Sequence, residues 1–190
     1  APNKPSATGC GSPSTAMSIG THNGQGFSAG DTIVLCSEGG DYREILWPPS
    51  SGTASAAITY QGYGAAILKG SDLVTGWTVH AGNIWRASLT TAPLQVWVNG
   101  SFGDSRANVG SLANNHDWAW SSGTLYLYSS TGDPDNLSEP GVEAAQRNAA
   151  GWIGGKSYLT FDGLTFSQSQ QNAFMMWEAN HILMKNCVFE

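Results

Sequence analysis

Tyr158-Leu-Thr-Phe-Asp-Gly-Leu-Thr-Phe166 is echoed 23 positions later by His181-Ile-Leu-Met-Lys-Asn-Cys-Val-Phe189. In each copy an apolar alternation (Leu159, Phe161; Ile182, Met184) runs into a turn-forming residue (Gly163; Asn186). A second alternation then follows (Leu164, Phe166; Cys187, Phe189). Alternation with period two puts successive side chains on opposite faces of a strand. A kinked strand pair recurring every twenty-odd residues predicts a β-solenoid, whose coils bury their inward stripe only by stacking on one another.

The same pattern extends upstream. Thr32-Ile-Val-Leu35 and Tyr42-Arg-Glu-Ile-Leu-Trp47 read as strands, with Glu38-Gly-Gly-Asp41 as the turn between them. Pro48-Pro-Ser-Ser-Gly-Thr53 reads as a rigid corner, and Ala57–Gly64 and Ala66–Gly70 as two further strands. Residues 1–30, rich in Pro, Ser, Gly and Asn, are expected to form a leader and N-terminal cap, with a short turn or helix around Ala16-Met-Ser-Ile19. Coils are expected over 31–190. At about 73–140 the rhythm changes to aromatic alternating strands with hairpin signals at Asn99-Gly100 and Ser122-Gly123, which predicts an inserted antiparallel β excursion. Glu190 closes the second copy of the echo, so the expectation is a fragment of a longer protein or an open coil covered by another subunit.

Composition narrows the function. Charged residues make up 12% of the 190, Gly is abundant at 24, and the net charge is −6. No basic stripe is present to neutralise phosphates, which argues against nucleic acid. No apolar run reaches the roughly 20 residues of a membrane span. The polar opening Ala1-Pro-Asn-Lys-Pro-Ser resembles a processed N-terminus, so a secreted, extracellular protein is expected. Of the three cysteines, Cys10 and Cys36 are the disulfide candidate and Cys187 is expected to be a buried free thiol. Their spacing suits no metal site.

Gly30-Asp-Thr-Ile-Val-Leu35, Asp41-Tyr-Arg-Glu44, Pro49-Ser-Ser-Gly-Thr53, Ile58-Thr-Tyr60 and the 158–166 segment together resemble right-handed parallel β-helix proteins of the pectate-lyase-like superfamily. Val96-Trp-Val-Asn-Gly100, Asp117-Trp-Ala-Trp120, Gly123-Thr-Leu-Tyr-Leu-Tyr128 and Gly132-Asp-Pro-Asp135 resemble a β excursion of its secreted members. The resemblance implies the N-terminal part of a polysaccharide lyase or glycoside hydrolase, inactive alone, with catalytic residues mostly beyond residue 190. Calcium enters by that resemblance only. The alternatives are a structural or adhesive solenoid that self-associates through its terminal coil, and a carbohydrate-binding module.

Candidate chemistry is sparse. Trp97, Trp118, Trp120, Tyr126 and Tyr128 are the candidates for stacking on sugar rings, set against a role in packing the excursion. Asp133-Pro-Asp135, with Asp104 and Asp117 elsewhere in the excursion, is the nearest approach to a calcium cluster, although Asp-Pro-Asp usually makes a turn. Asp41 and Glu44 flank Arg43 and are expected to form a salt bridge or turn hydrogen bond. His116-Asp117 is expected to make a loop hydrogen bond, and Glu178 to be a solvated acid beside a core Trp177. No catalytic residue is assignable.

Overall fold

The computed structural model describes residues 2–3 and 17–190. The protein is all-β, with both parallel and antiparallel pairing. In chain order the elements are β1 (Pro2–Asn3), α1 (Ile19–Asn23), β2 (Thr32–Cys36), β3 (Ile58–Lys69), β4 (Ser71–Leu73), β5 (Thr78–Ala81) and β6 (Ile84–Ser88). There follow β7 (Val96–Val98), β8 (Ser101–Phe102), β9 (Asp104–Ser105), β10 (Asp117–Ser121), β11 (Thr124–Tyr128) and β12 (Val142–Ala145). The last five are β13 (Ala149–Gly154), β14 (Ser157–Ser167), β15 (Asn172–Trp177), β16 (Asn180–Lys185) and β17 (Val188–Phe189). They divide into two compact units, one holding the described residues up to Gly70 together with Ala149–Glu190, the other Ser71–Asn148.

In the first unit the main sheet runs β1-β2-β3-β14-β16, with β17 also on β14. All of these pairs are parallel except β1 with β2. The two copies of the echo pair at their own offset: Leu159 lies beside Ile182, Phe161 beside Met184 and Phe166 beside Phe189. One row thus runs Ile33, Tyr60, Phe161, Met184, and a second runs Tyr42, Leu68, Phe166, Phe189. A third, Leu46, Gly151, Phe174, belongs to the parallel β13–β15 pair and its flanking bridge. Like side chains stack along these rows: the Tyr60 and Phe161 rings lie 5.0 Å apart at 12° and those of Phe166 and Phe189 5.6 Å apart at 7°. Most of these inward residues, with Ile19 and Ile153, form one continuous apolar core.

Two local expectations change. The strand expected over 42–47 shrinks to single bridges at Tyr42 and Leu46, because Pro48 and Pro49 supply no N–H to extend a ladder. The strands expected over 57–64 and 66–70 are one strand, β3, whose register against β14 shifts between Asp162 and Leu164. There Gly163 has φ +67°, and a Cβ on Gly62 would run into the Gly163 carbonyl. The cap includes a real helix: the Ser18 hydroxyl accepts the Thr21 N–H at the N-terminus of α1, and Ile19 is fully buried. Cys10 and most of the leader lie outside the described residues. Cys187 is a free thiol, half-buried against the core rather than fully inside it.

The second unit holds a five-stranded sheet, β5-β6-β11-β10-β9, and a four-stranded one, β4-β12-β7-β8. Pairing is antiparallel except for β9 with β10. Asn99-Gly100 and Ser122-Gly123 close two-residue hairpins with positive φ at both positions, the geometry that matches strand twist. The unit has its own core, including Val96, Val98, Trp118, Leu125, Leu127 and Ala144.

Candidate functional site

The register of β10 against β11 decides where the aromatic candidates point. Trp118 sits opposite Leu127 and Trp120 opposite Leu125, so all four share the core-facing side. Trp118 is 5% exposed, and Trp120 packs on the same core while its indole N–H donates to the Leu89 carbonyl at 2.7 Å. Trp97 is also 5% exposed and lies beside Phe102, centroids 5.5 Å apart. None of these three offers an open ring face. Tyr126 and Tyr128 occupy the other side of β11 and are half-buried. The His80 ring meets Tyr126 edge-on at 5.1 Å, and the Tyr128 hydroxyl accepts the Asn83 amide at 3.1 Å.

Tyr128 also borders a pocket of about 110 Å³. It is lined by the apolar side chains of Val98, Leu127 and Leu137 and by the polar residues Asn99, Asn115, His116, Tyr128, Ser129 and Thr131. Two of the lining residues, Asn99 and His116, have φ of +50° and +72°, a left-handed backbone that costs a non-glycine residue about 1–2 kcal/mol. The His116 backbone is fixed in that state by its N–H donating to the Tyr128 carbonyl (3.1 Å) and its carbonyl accepting the Asp104 N–H (3.0 Å). Asn115 is held by accepting the Ser130 N–H at 2.7 Å. A lining that mixes apolar side chains with hydroxyl, amide and imidazole residues suits a small neutral polyol. The volume is below the 300–1,000 Å³ usual for ligand pockets, so it admits one small ring or a chain end. Sequence reading reached Tyr128 and His116 separately but not the pocket, which gathers residues from four stretches of chain.

The carboxylates are engaged elsewhere. Asp117 is fully buried and accepts Arg106 Nε (2.8 Å) and Nη2 (2.6 Å) together with the backbone N–H groups of Ala113 and Asn114 (2.9 Å each). The Arg106 hydrogen bond, aided by those N–H donors, pulls its pKa down to about 2 despite burial. It therefore caps a loop without using His116. Asp135 accepts the N–H groups of Gly76 and Trp77, and Asp133 that of Asp135, so the Asp-Pro-Asp segment is a turn. Among the described residues no three His, Cys, Asp or Glu side chains gather as a cation site for the calcium that the family resemblance implied. Asp41 pairs with Lys69 at 2.8 Å, and Glu44 accepts the Gly20 N–H at 2.7 Å, fastening α1. Glu178 is exposed as expected, but its neighbour Trp177 is 69% exposed rather than part of the core.

No family model and no curated protein sequence matches the chain. Two solved structures share its fold. One, described as the complex structure of XylC with xylose, is similar over 87% of this chain and 34% of its own, with TM-score 0.71 and 20% identity. The other, described as a glycoside hydrolase, is similar over 73% of this chain and 43% of its own, with TM-score 0.56 and 13% identity. The chain thus spans less than half the length of either.

Proposed function

We propose that this chain is a carbohydrate-holding part of an extracellular polysaccharide-active protein, built as a right-handed parallel β-helix with an antiparallel insertion. The observation that carries the reading is the likeness of fold to a protein solved with xylose and to a glycoside hydrolase. The parallel rows of the first unit support the β-helix, and the polyol-sized pocket of the second supports sugar binding. Binding rather than hydrolysis is assigned to the chain: Asp117 and Asp135 cap loops and Asp41 pairs with Lys69, so these three do not supply the facing carboxylate pair a glycosidase requires. An oxidising exterior also suits a Cys10–Cys36 disulfide, whose removal by reduction a mass measurement would detect.

The test is calorimetric titration with xylose, xylo-oligosaccharides and neutral polysaccharides, beside an assay on a chromogenic xyloside. Saturable binding without turnover is expected. Absence of binding to every sugar overturns the reading, and turnover by the chain alone overturns the division between holding and catalysis.

A second reading is favoured by the strand edges. Among the described residues β16 and β17 pair only with β14, and Leu183, Val188 and Phe189 are exposed beside them. Edges of this kind are covered by further strands, from the same chain or from another copy. Self-association through them predicts multiples of the 20.0 kDa mass in light scattering as concentration rises; a constant monomer mass overturns it.

A further inference from the structure

The chain has eight tryptophans, and three remain in water: Trp47 at 53%, Trp152 at 38% and Trp177 at 69% exposure. All three belong to the first unit, and the backbone brings them to one face. The Leu46 N–H donates to the Ala150 carbonyl and the Trp152 N–H to the Leu46 carbonyl, both at 2.9 Å, which locks the 46–47 segment beside β13. The next residues, Trp47 and Trp152, then stack with centroids 6.2 Å apart and planes at 27°. On β13, Ile153 is buried in the core, so Trp152 and Gly154 share the outward side. Their partners on β15 are Met175 and Trp177.

From this geometry we infer a second carbohydrate site, in which Trp47 and Trp152 form one platform, flanked by Met175 and Trp177, for the pyranose rings of an uncharged polysaccharide chain. The inference rests on the carbohydrate reading above and deepens it. Three exposed indoles leave apolar area in water that burial inside would have recovered. An indole face carries negative partial charge and attracts the slightly positive C–H face of a sugar ring, while its N–H can donate to a hydroxyl. Charge selects the polymer. No member of the strip is charged, and the chain carries −6, so a polyanionic chain gains no counter-charge here and a neutral one loses nothing. Gly154 keeps the edge of the platform open: a Cβ there would lie 3.3 Å from Trp152 Nε1.

The experiment is affinity electrophoresis and calorimetry of the full chain on neutral arabinoxylan and mixed-linkage glucan, with polygalacturonate as the anionic comparison. Trp47→Ala/Trp152→Ala should weaken retention by the neutral polymers at least tenfold. Gly154→Leu, which keeps every tryptophan but covers the platform edge, should weaken it in the same direction. Far-ultraviolet circular dichroism should match the parent for both. Polygalacturonate should not be retained by any of them. If both variants bind neutral polymers like the parent while His116→Ala/Tyr128→Phe does not, the pocket alone holds sugar and the platform is refuted, though the carbohydrate reading stands. Stronger binding of the anionic polymer also refutes the platform as assigned. A parent that binds no polysaccharide refutes both.

Discussion

At the scale of single residues, two buried ionisable groups, His22 and Asp117, predict sensitivity to acid. His22 is fully buried, with its ring between Asn23 Oδ1 (3.0 Å) and the Tyr60 hydroxyl (3.2 Å) and stacked on Phe27. Burial lowers its pKa from 6.5, against the opposing pull of Asn23. A base with a depressed folded pKa contributes stability above its unfolded pKa, and that contribution is lost as pH falls through the folded value. Melting temperature should therefore decline as pH drops below about 6.5, and His22→Gln should flatten that decline while lowering stability at pH 7. An unchanged pH profile in the variant would exclude the mechanism. Asp117 acts lower: its pKa falls from 3.8 to about 2, so its contribution is present above 3.8 and disappears as pH approaches 2. Asp117→Asn should melt well below the parent at pH 6, with the two curves converging near pH 2. Parallel curves would mean that the Arg106 pairing contributes nothing.

At the scale of elements, the kink shared by β3 and β14 is the most constrained point in the first unit. Gly62 and Gly163 pass so closely that a methyl group on Gly62 meets backbone, which cannot move without breaking the ladder. Gly62→Ala is expected to cost about 3 kcal/mol, the upper end of an overpacking penalty, read as a shift in the urea midpoint. Gly82→Ala at a hairpin turn with open space around it should cost only the strain of its positive φ, about 1 kcal/mol. If the two variants unfold at the same midpoint, the close approach is not what fixes Gly62. The β14 side of this kink was legible in sequence because both echo copies place a turn residue there, Gly163 and Asn186, each with positive φ, whereas the β3 side reads as two strands. The exposed tryptophans were not. Alternation says that Trp152 faces away from Ile153, but only the Leu46–Gly151 bridge sets Trp47 beside it, across a hundred residues of chain. For Trp97 and Trp118 the sequence sets sugar stacking against packing, because the same alternation does not say which face of a two-sided sheet meets the core. The pocket depends on four separated stretches and leaves no local signature.

At the scale of the whole molecule, the two units carry separate apolar cores, one holding Tyr60, Phe161 and Phe166, the other Trp118, Leu125 and Leu127. Separate cores predict separable stability. Leu125→Ala, at a fully buried position, should cost about 2–5 kcal/mol. Hydrogen exchange should locate that loss in β6, β10 and β11 while protection of β3 and β14 holds. Equal loss in both sets would show that they unfold as one. Ladder partners also reveal how the second unit enters the chain. Lys69 pairs with Ser167, and Ala149 with Asn172. Between those positions one segment runs through 168–171, while its neighbour runs through all of 70–148, and the strands on either side pair in parallel. Backbone corner length and ladder geometry are therefore decoupled at this point. The corner is a natural splice point: a foreign domain with neighbouring termini, grafted at 168–171, would ride on the scaffold as cargo without the strands beneath it having to adjust.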